Sequence, residues 1–223
     1  MPRRIKSYGG QKATLPIKDK KLLERVMTYL IYEKEHAKTP IKEYQGYRNY
    51  MLFLIGLNTA FRAEDLLQLR VADVVKGYVS IKENKTGKMQ NFRMNKKLHE
   101  EILKYIEKYD LKNNDYLFMG QKKKDTYKGI TKKVIYPITK QNCQNVIFPK
   151  VKEACGITFP FGLHSLRKTF GYMYYKNGGS LITLMKMYNH DEPSTTLFYV
   201  MWDREDAEQE RESVFIGGKS GMK

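Results

Sequence analysis

The chain has 223 residues, enough for one large domain or two small ones and for a sizeable core. Its hydrophobic share of 41% and charged share of 29% are those of an ordinary soluble globular protein. Lys and Arg number 41 against 24 Asp and Glu, a net charge of +17 that points to a polyanionic partner, either nucleic acid or an anionic membrane face. The N-terminus MPRRIKSYGGQK is basic but lacks a following apolar region, which excludes a secretory signal. The longest apolar run, Met51 to Leu57, is too short to span a bilayer. Cys143 and Cys155 sit in no metal-ligand spacing and read as reduced thiols of a cytoplasmic protein. No HExxH, EF-hand or Cys/His cluster is present, so nothing predicts a metal.

Residues 1–16 read as a flexible basic arm, and residues 17–202 as one mostly α-helical domain with a small antiparallel β-sheet, an α+β fold. DKKLLERVMTYLIYEKEH has apolar residues at helical spacing and ends at Thr39-Pro40. YRNYMLFLIGLN is apolar on most sides and predicts a buried helix. A short helix over Ala63 to Leu69 then carries Arg62 at its N-terminal edge. A cation there opposes the helix dipole, which a bound anion would relieve; the alternative is a surface Arg paired with Glu64 or Asp65. GYVSIKENKTGKMQNFRMN predicts a β-hairpin with lysines at its tip, either solvated or reaching a phosphate.

After the helix KKLHEEILKYIEKYD, residues 121–133 read as a basic loop that tracks a nucleic-acid backbone or stays mobile. A further helix spans TKQNCQNVIFPKVKEACG, kinked or split at Pro149 and stopped at Gly156. From His164 the chain reads HSLRKTFGYMYYKNGG, LITLMKMYNH and DEPSTTLFYV, three short helices bearing His164, Arg167, His190 and Tyr199. His164 and Arg167 lie one turn apart on one face. Arg supplies a fixed fork of donors for phosphate oxygens, His moves protons near neutrality, and a tyrosine oxygen is a competent nucleophile. Residues 203–223 form an acidic tail that reads as a separate polar helix with Val214, Phe215 and Ile216 as an apolar plug.

In this order the residues resemble the catalytic domain of the tyrosine recombinases, the lambda-integrase or phage-integrase family, over about Leu15 to Trp202. Arg62 with Asp65 and LLQLRVADV resembles the first box. Lys85 in NKTGK matches the hairpin lysine, and His164-Ser165-Leu166-Arg167 the HxLR box. His190 matches the second histidine, followed nine positions later by Tyr199. Two departures stand out: Phe61 replaces the usual Gly before the first Arg, and Tyr188-Asn189-His190 replaces Leu-Gly-His. The family usually carries a separate N-terminal helical domain, so the resemblance is to short members, the fimbrial-type invertases among them, or to an isolated catalytic domain starting at Met1.

The resemblance implies site-specific cleavage and rejoining of double-stranded DNA through a 3′-phosphotyrosine, without metal, ATP or cofactor. Tyr199 would be the nucleophile, His164 the base, and Lys85 the acid for the departing 5′-oxygen. Arg62 and Arg167 would grip the non-bridging oxygens with help from His190, while Asp65 would orient its neighbours. Lys88, Lys122, Lys123, Lys124, Lys128, Lys132, Lys133 and Lys168 are candidate DNA contacts, none assigned to a particular phosphate. The implied assembly is a homotetramer on paired sites, with accessory DNA-bending proteins as further partners; within it the 203–223 tail either docks on a neighbouring protomer, folds back on its own domain or is disordered. A type IB topoisomerase and a catalytically idle DNA-binding protein are the rival readings, and a membrane-surface protein is the weakest.

Overall fold

The structure, a computed structural model, describes residues 13–127, 130–201 and 204–214. Its core forms around one helix. α1 (Lys20–Glu35) starts at Asp19, whose carboxylate accepts from the Lys21 amide. α2 (Pro40–Asn58) starts at Thr39, with Pro40 in the first turn, where its missing N–H costs nothing. Residues Met51, Leu52, Phe53 and Ile55 of α2 are fully buried. A helix apolar all round must be covered on all sides. Here α1, α5 (Lys96–Lys108) and α8 (Leu163–Lys176) pack against it. α5 turns Leu98, Ile102 and Tyr105 inward at spacings of four and three, the helical face its sequence predicts.

α3 (Ala63–Gln68) and α4 (Val71–Val74) lead into the hairpin β1 (Tyr78–Lys82) and β2 (Met89–Arg93). Its strands are antiparallel, from Tyr78 opposite Arg93 to Lys82 opposite Met89. Beyond them, the Glu83 and Gly87 amides donate to the carbonyls of Lys88 and Glu83. Gly87 takes φ +67°, the left-handed conformation this loop closure requires.

Residues 121–133 differ from the expected loop. The backbone pairs as a second antiparallel ribbon, β3 (Met119–Tyr127) and β4 (Ile130–Pro137), irregular between Met119 and Lys122. Thr126, Tyr127, Ile130, Thr131, Val134 and Ile135 are strong strand formers. Among the described residues the ribbon pairs with no third strand.

The segment that follows is split at the expected proline. α6 (Lys140–Asn142) runs into a π turn at Cys143–Ile147, then α7 (Phe148–Ala154). Phe148 N–H reaches the Cys143 carbonyl five residues back, and Pro149 has no N–H to offer. Cys143 and Cys155 are buried free thiols, and burial pushes Cys143 up to about 12. α8, α9 (Leu181–Tyr188) and α10 (Pro193–Val200) form the second half. They share a smaller core of Ala60, Tyr172, Leu184, Tyr188 and Val200.

The described segments before α1 and after α10 both pack on the domain. Residues 13–16 are not a free arm: Leu15 N–H donates to the Pro160 carbonyl at 2.8 Å, and the fully buried Ile17 donates its N–H to Thr169 Oγ1 at 2.8 Å. Residues 1–12 lie outside the described residues. At the other end, α11 (Arg204–Glu212) folds back on its own domain. Asp206 accepts from the Tyr172 hydroxyl at 2.6 Å and pairs with Lys18 at 2.6 Å. Val214 is exposed, and Phe215 and Ile216 lie outside the described residues. Among the described residues no helix is long and apolar enough to cross a membrane, and no group of three or more His, Cys, Asp or Glu side chains could hold a metal ion.

Candidate active site

Where α2 ends, the chain turns extended through Thr59, Ala60 and Phe61. Phe61 is buried against Phe92 of β2, with ring centroids 5.5 Å apart. That contact anchors the backbone where Gly was expected, and no positive φ is needed there. Arg62 is therefore delivered as the N-cap of α3, with no side-chain cap bond. Its guanidinium pairs with neither Glu64 nor Asp65. It forms an ion pair with Glu83, at the end of β1, and its Nη2 donates to the Tyr188 carbonyl at 3.4 Å.

The two acids of α3 serve other partners. Glu64 pairs with Lys140 at 2.5 Å, which holds its carboxyl below the usual range. Asp65 is buried and accepts from the Asn84 amide at 2.9 Å, fastening the hairpin to α3. Burial raises the Asp65 pKa, against the pull of the Asn84 amide and the nearby arginines.

Arg167, on α8, is buried beneath the site. Its Nη1 donates to the Ala60 carbonyl, and its Nη2 to the Tyr188 carbonyl at 3.0 Å. Both guanidiniums thus converge on one main-chain oxygen. Burial lowers the Arg167 pKa, yet in this range a guanidinium stays charged.

Tyr199 enters from α10, half-buried. Its ring centroid lies 5.8 Å from the Arg167 guanidinium carbon and 5.2 Å from Lys168 Nζ, and makes edge contacts with Tyr188 at 5.3 Å and His190 at 5.5 Å. Burial raises its phenol above the ordinary value, while Arg167 and Arg62 act in the opposite direction.

His190 follows α9, whose last turn is closed by Asn189 at φ +52°. Asn is the side chain that best tolerates this left-handed geometry after Gly, so the Asn189 departure keeps the turn. His190 Nδ1 lies 3.0 Å from Thr196 Oγ1. Partial burial, then the positive charges of Arg167 and Arg62, push its pKa to about 4. His164 is exposed at the rim, one turn before Arg167. Local desolvation and then Lys140, Arg167 and Lys168 depress it likewise to about 4. Both rings are therefore neutral at pH 7 and able to accept a proton.

Lys85 stands exposed at the hairpin tip, in the electrostatic reach of Glu64. Lys88 spans from the hairpin to the loop carrying His190, 3.1 Å from Asp191 and 3.4 Å from the Asn189 carbonyl. Lys168 departs from the expected DNA-facing position: it is 7% exposed, with Nζ donating to the Thr14 carbonyl at 2.6 Å. The N-terminal segment covers it. The side chains of Lys122, Lys123, Lys124, Lys128, Lys132 and Lys133 lie outside the described residues. Beside the site a cleft of about 950 Å3 opens between α3 and the base of the ribbon, lined by Glu64, Arg70, Asn84, Tyr116, Thr139 and Lys140.

The structure thus gathers Arg62, Arg167, His190 and Tyr199 around one point, with His164 at the rim and Lys85 on a neighbouring tip. Three members were not anticipated: Glu83, Gln90 and Tyr188. A signal for the first two existed. The inward phase of β1 runs Val79, Ile81, Glu83, and that of β2 runs Gln90, Phe92, Met94, so two polar residues occupy core-facing positions.

Comparison with known proteins points to one family. The phage integrase family matches residues 12–205. A probable integrase/recombinase, YoeC, of Bacillus subtilis (strain 168) is 32% identical over 203 residues, covering 91% of this chain and 97% of YoeC. A tyrosine recombinase of Pseudothermotoga lettingae is 26% identical over 186 residues; 82% of this chain spans 59% of that protein. Among solved structures, the XerA recombinase superposes with a TM-score of 0.66 at 15% identity, covering 91% of this chain and 65% of XerA. XerH bound to a palindromic difH substrate gives 0.63 at 22% identity, covering 94% of this chain and 56% of XerH. The catalytic domain of bacteriophage HP1 integrase gives 0.52 at 17% identity, covering 89% of this chain and 94% of that domain. The chain belongs to the phage integrase family of tyrosine recombinases, and its fold is that of their catalytic domain.

Proposed function

We propose that this protein is a site-specific DNA recombinase whose nucleophile is Tyr199. The observation that carries the reading is the seating of the Tyr199 ring beside the Arg167 guanidinium, at 5.8 Å, with Arg62 and Arg167 meeting on the Tyr188 carbonyl. A phosphodiester entering there meets two fixed cationic forks where negative charge grows in the transition state. Tyr199 Oη forms a bond to phosphorus as the bond to the 5′-oxygen breaks. His164 takes the phenolic proton, and Lys85 gives one to the departing oxygen. His190, held by Thr196, donates to the phosphate. The phosphotyrosine conserves the bond energy, so a 5′-hydroxyl from a second strand rejoins the backbone without ATP.

XerH and the Tn1549 transposon integrase have been solved with DNA substrates, and the net charge of +17 here suits the same kind of partner. A tetramer on paired sites, help from DNA-bending proteins, and a cytoplasmic location complete the reading. The test is to trap covalent protein–DNA adducts from cells expressing the protein or its Tyr199→Phe variant, and to sequence the attached ends. Adducts at a repeated motif, lost in the variant, establish the nucleophile and reveal the site. Scattered adducts favour a relaxing topoisomerase. Tight binding with no adduct favours an idle DNA-binding protein.

A further inference from the structure

Glu83 has no role in the chemistry above, yet it is 2% exposed and sits where the catalytic groups join. An isolated buried carboxylate is strongly unfavourable, so its partners carry information. Glu83 Oε2 pairs with Arg62 and accepts from the Thr86 hydroxyl, and Oε1 accepts from Gln90 Nε2 at 2.9 Å. Gln90, itself buried, also donates to the Met187 carbonyl at 3.0 Å. Thr86 is the residue after Lys85, and Met187 lies three residues before His190. One carboxylate therefore ties Arg62 to the tip that presents Lys85 and, through Gln90, to the turn that presents His190.

Electrostatics argue the same way. Arg62 caps a helix N-terminus, the positive end of the dipole, and faces Arg167 across a shared carbonyl. Two guanidiniums at such an end repel each other and need a fixed anion to stay aimed. Glu83 takes one edge of the Arg62 fork, leaving the remaining N–H groups for a ligand.

We propose that Glu83 is the positioning residue of this site, holding Arg62 in its phosphate-ready orientation and setting the hairpin lysine against it. Glu83 touches no substrate; it acts through Arg62. The proposal rests on the recombinase reading, and its test keeps the two apart. The first measurement needs no DNA: the Arg62 side-chain N–H resonances in protein labelled with 15N-arginine, for the wild type and Glu83→Gln. Pinned, slowly exchanging Arg62 protons that are lost in the variant, with those of Arg167 retained, are expected. An unchanged Arg62 resonance overturns the proposal.

The second is single-turnover cleavage of the target duplex beside equilibrium binding. Glu83→Gln is expected to slow adduct formation by about 10–100-fold, the cost of a misaimed group, with binding altered less than about threefold. In an Arg62→Lys background the same substitution is expected to add little, because coupled residues are non-additive. An equal loss in both backgrounds, or loss matched by weakened binding, makes Glu83 merely structural. No adduct from the wild type overturns the recombinase reading, while the Arg62 resonances still decide whether Glu83 holds Arg62. Wild-type rates in Glu83→Gln overturn the role alone.

Discussion

Tyr188 lies beneath Arg167, its ring centroid 4.5 Å from the guanidinium carbon, while its hydroxyl donates to the Arg167 carbonyl at 2.6 Å. The same residue supplies the carbonyl on which Arg62 and Arg167 converge, and its ring edge packs against Tyr199. Tyr188→Phe removes one buried hydrogen bond and is expected to cost about 1 kcal/mol of stability. Tyr188→Leu also removes the cation–π contact, worth about 2 kcal/mol when desolvated. Adduct formation should therefore fall more in Leu than in Phe. Equal rates in the two variants would show that the ring face does not hold Arg167.

The space for that hydroxyl depends on a glycine. A Cβ on Gly171 would sit 1.9 Å from Tyr188 Oη, and 2.7 Å from both Tyr188 Cζ and Val200 Cγ1. Gly171→Ala improves helix propensity by about 1 kcal/mol, yet overpacking of this kind costs about 1–3 kcal/mol. A net loss of stability is expected. Tyr188→Phe in the same chain removes the worst of the clash, so the double variant is expected to be more stable than the sum of the singles. Urea denaturation of the four proteins completes the cycle, and strict additivity would contradict the geometry.

What the sequence made legible follows from range. Arg62, the hairpin tip and the His164-to-Tyr199 helices are local patterns, and their order along the chain, matched to the boxes of the tyrosine recombinases, singled them out. The burial of Lys168 was not legible because its neighbour in space is Thr14, 154 residues away; the segment that covers it carries no mark of where it docks. The pairing of β3 with β4 left no alternating apolar pattern in the sequence to read, since alternation reports burial and not pairing. Glu83 was readable in principle, as a charge in the apolar phase of β1. Its partners Arg62 and Gln90 become evident only once the hairpin packs on α3 and α9.

Acid is expected to destabilise the fold through the two histidines. His164 and His190 have pKa values near 4 in the folded chain against a usual 6.5. Between those values the unfolded chain binds protons that the folded chain does not, so stability is full above about 6.5 and falls as pH drops toward 4. Glu83, held below its usual pKa by Thr86, Gln90 and Arg62 against the effect of burial, adds a loss of the same sign at lower pH. For His190, partly buried, the loss by pH 5 is on the order of 1 kcal/mol after allowing for solvent screening. His164, more exposed, contributes less. Urea midpoints at pH 7 and pH 5 check this: His190→Gln is expected to lose less than the wild type across the interval, and an identical loss would remove His190 from the account.

The last prediction concerns the C-terminal helix. Asp206 is 6% exposed, and its two oxygens are engaged by Lys18, from the segment before α1, and Tyr172, from α8. Lys176 reaches the same helix at Gln209, 3.4 Å away. α11 is otherwise strongly polar, with five acidic residues among REDAEQERE, so it has little apolar area with which to dock. Among the described contacts, this carboxylate is the buried one that ties α11 to the domain. Asp206→Ala leaves a lysine and a buried hydroxyl without their shared partner, at a cost of about 3 kcal/mol, the low end for a broken buried pair because Lys18 is 31% exposed. Asp206→Asn keeps the hydrogen bonding but not the charge and is expected to fall between. Limited proteolysis tests this directly. Cleavage within 204–214 should accelerate in Asp206→Ala while the domain from residue 13 to 200 stays resistant. Uniform cleavage across the chain would mean that Asp206 stabilises the whole domain, and unchanged cleavage that α11 is held by other contacts.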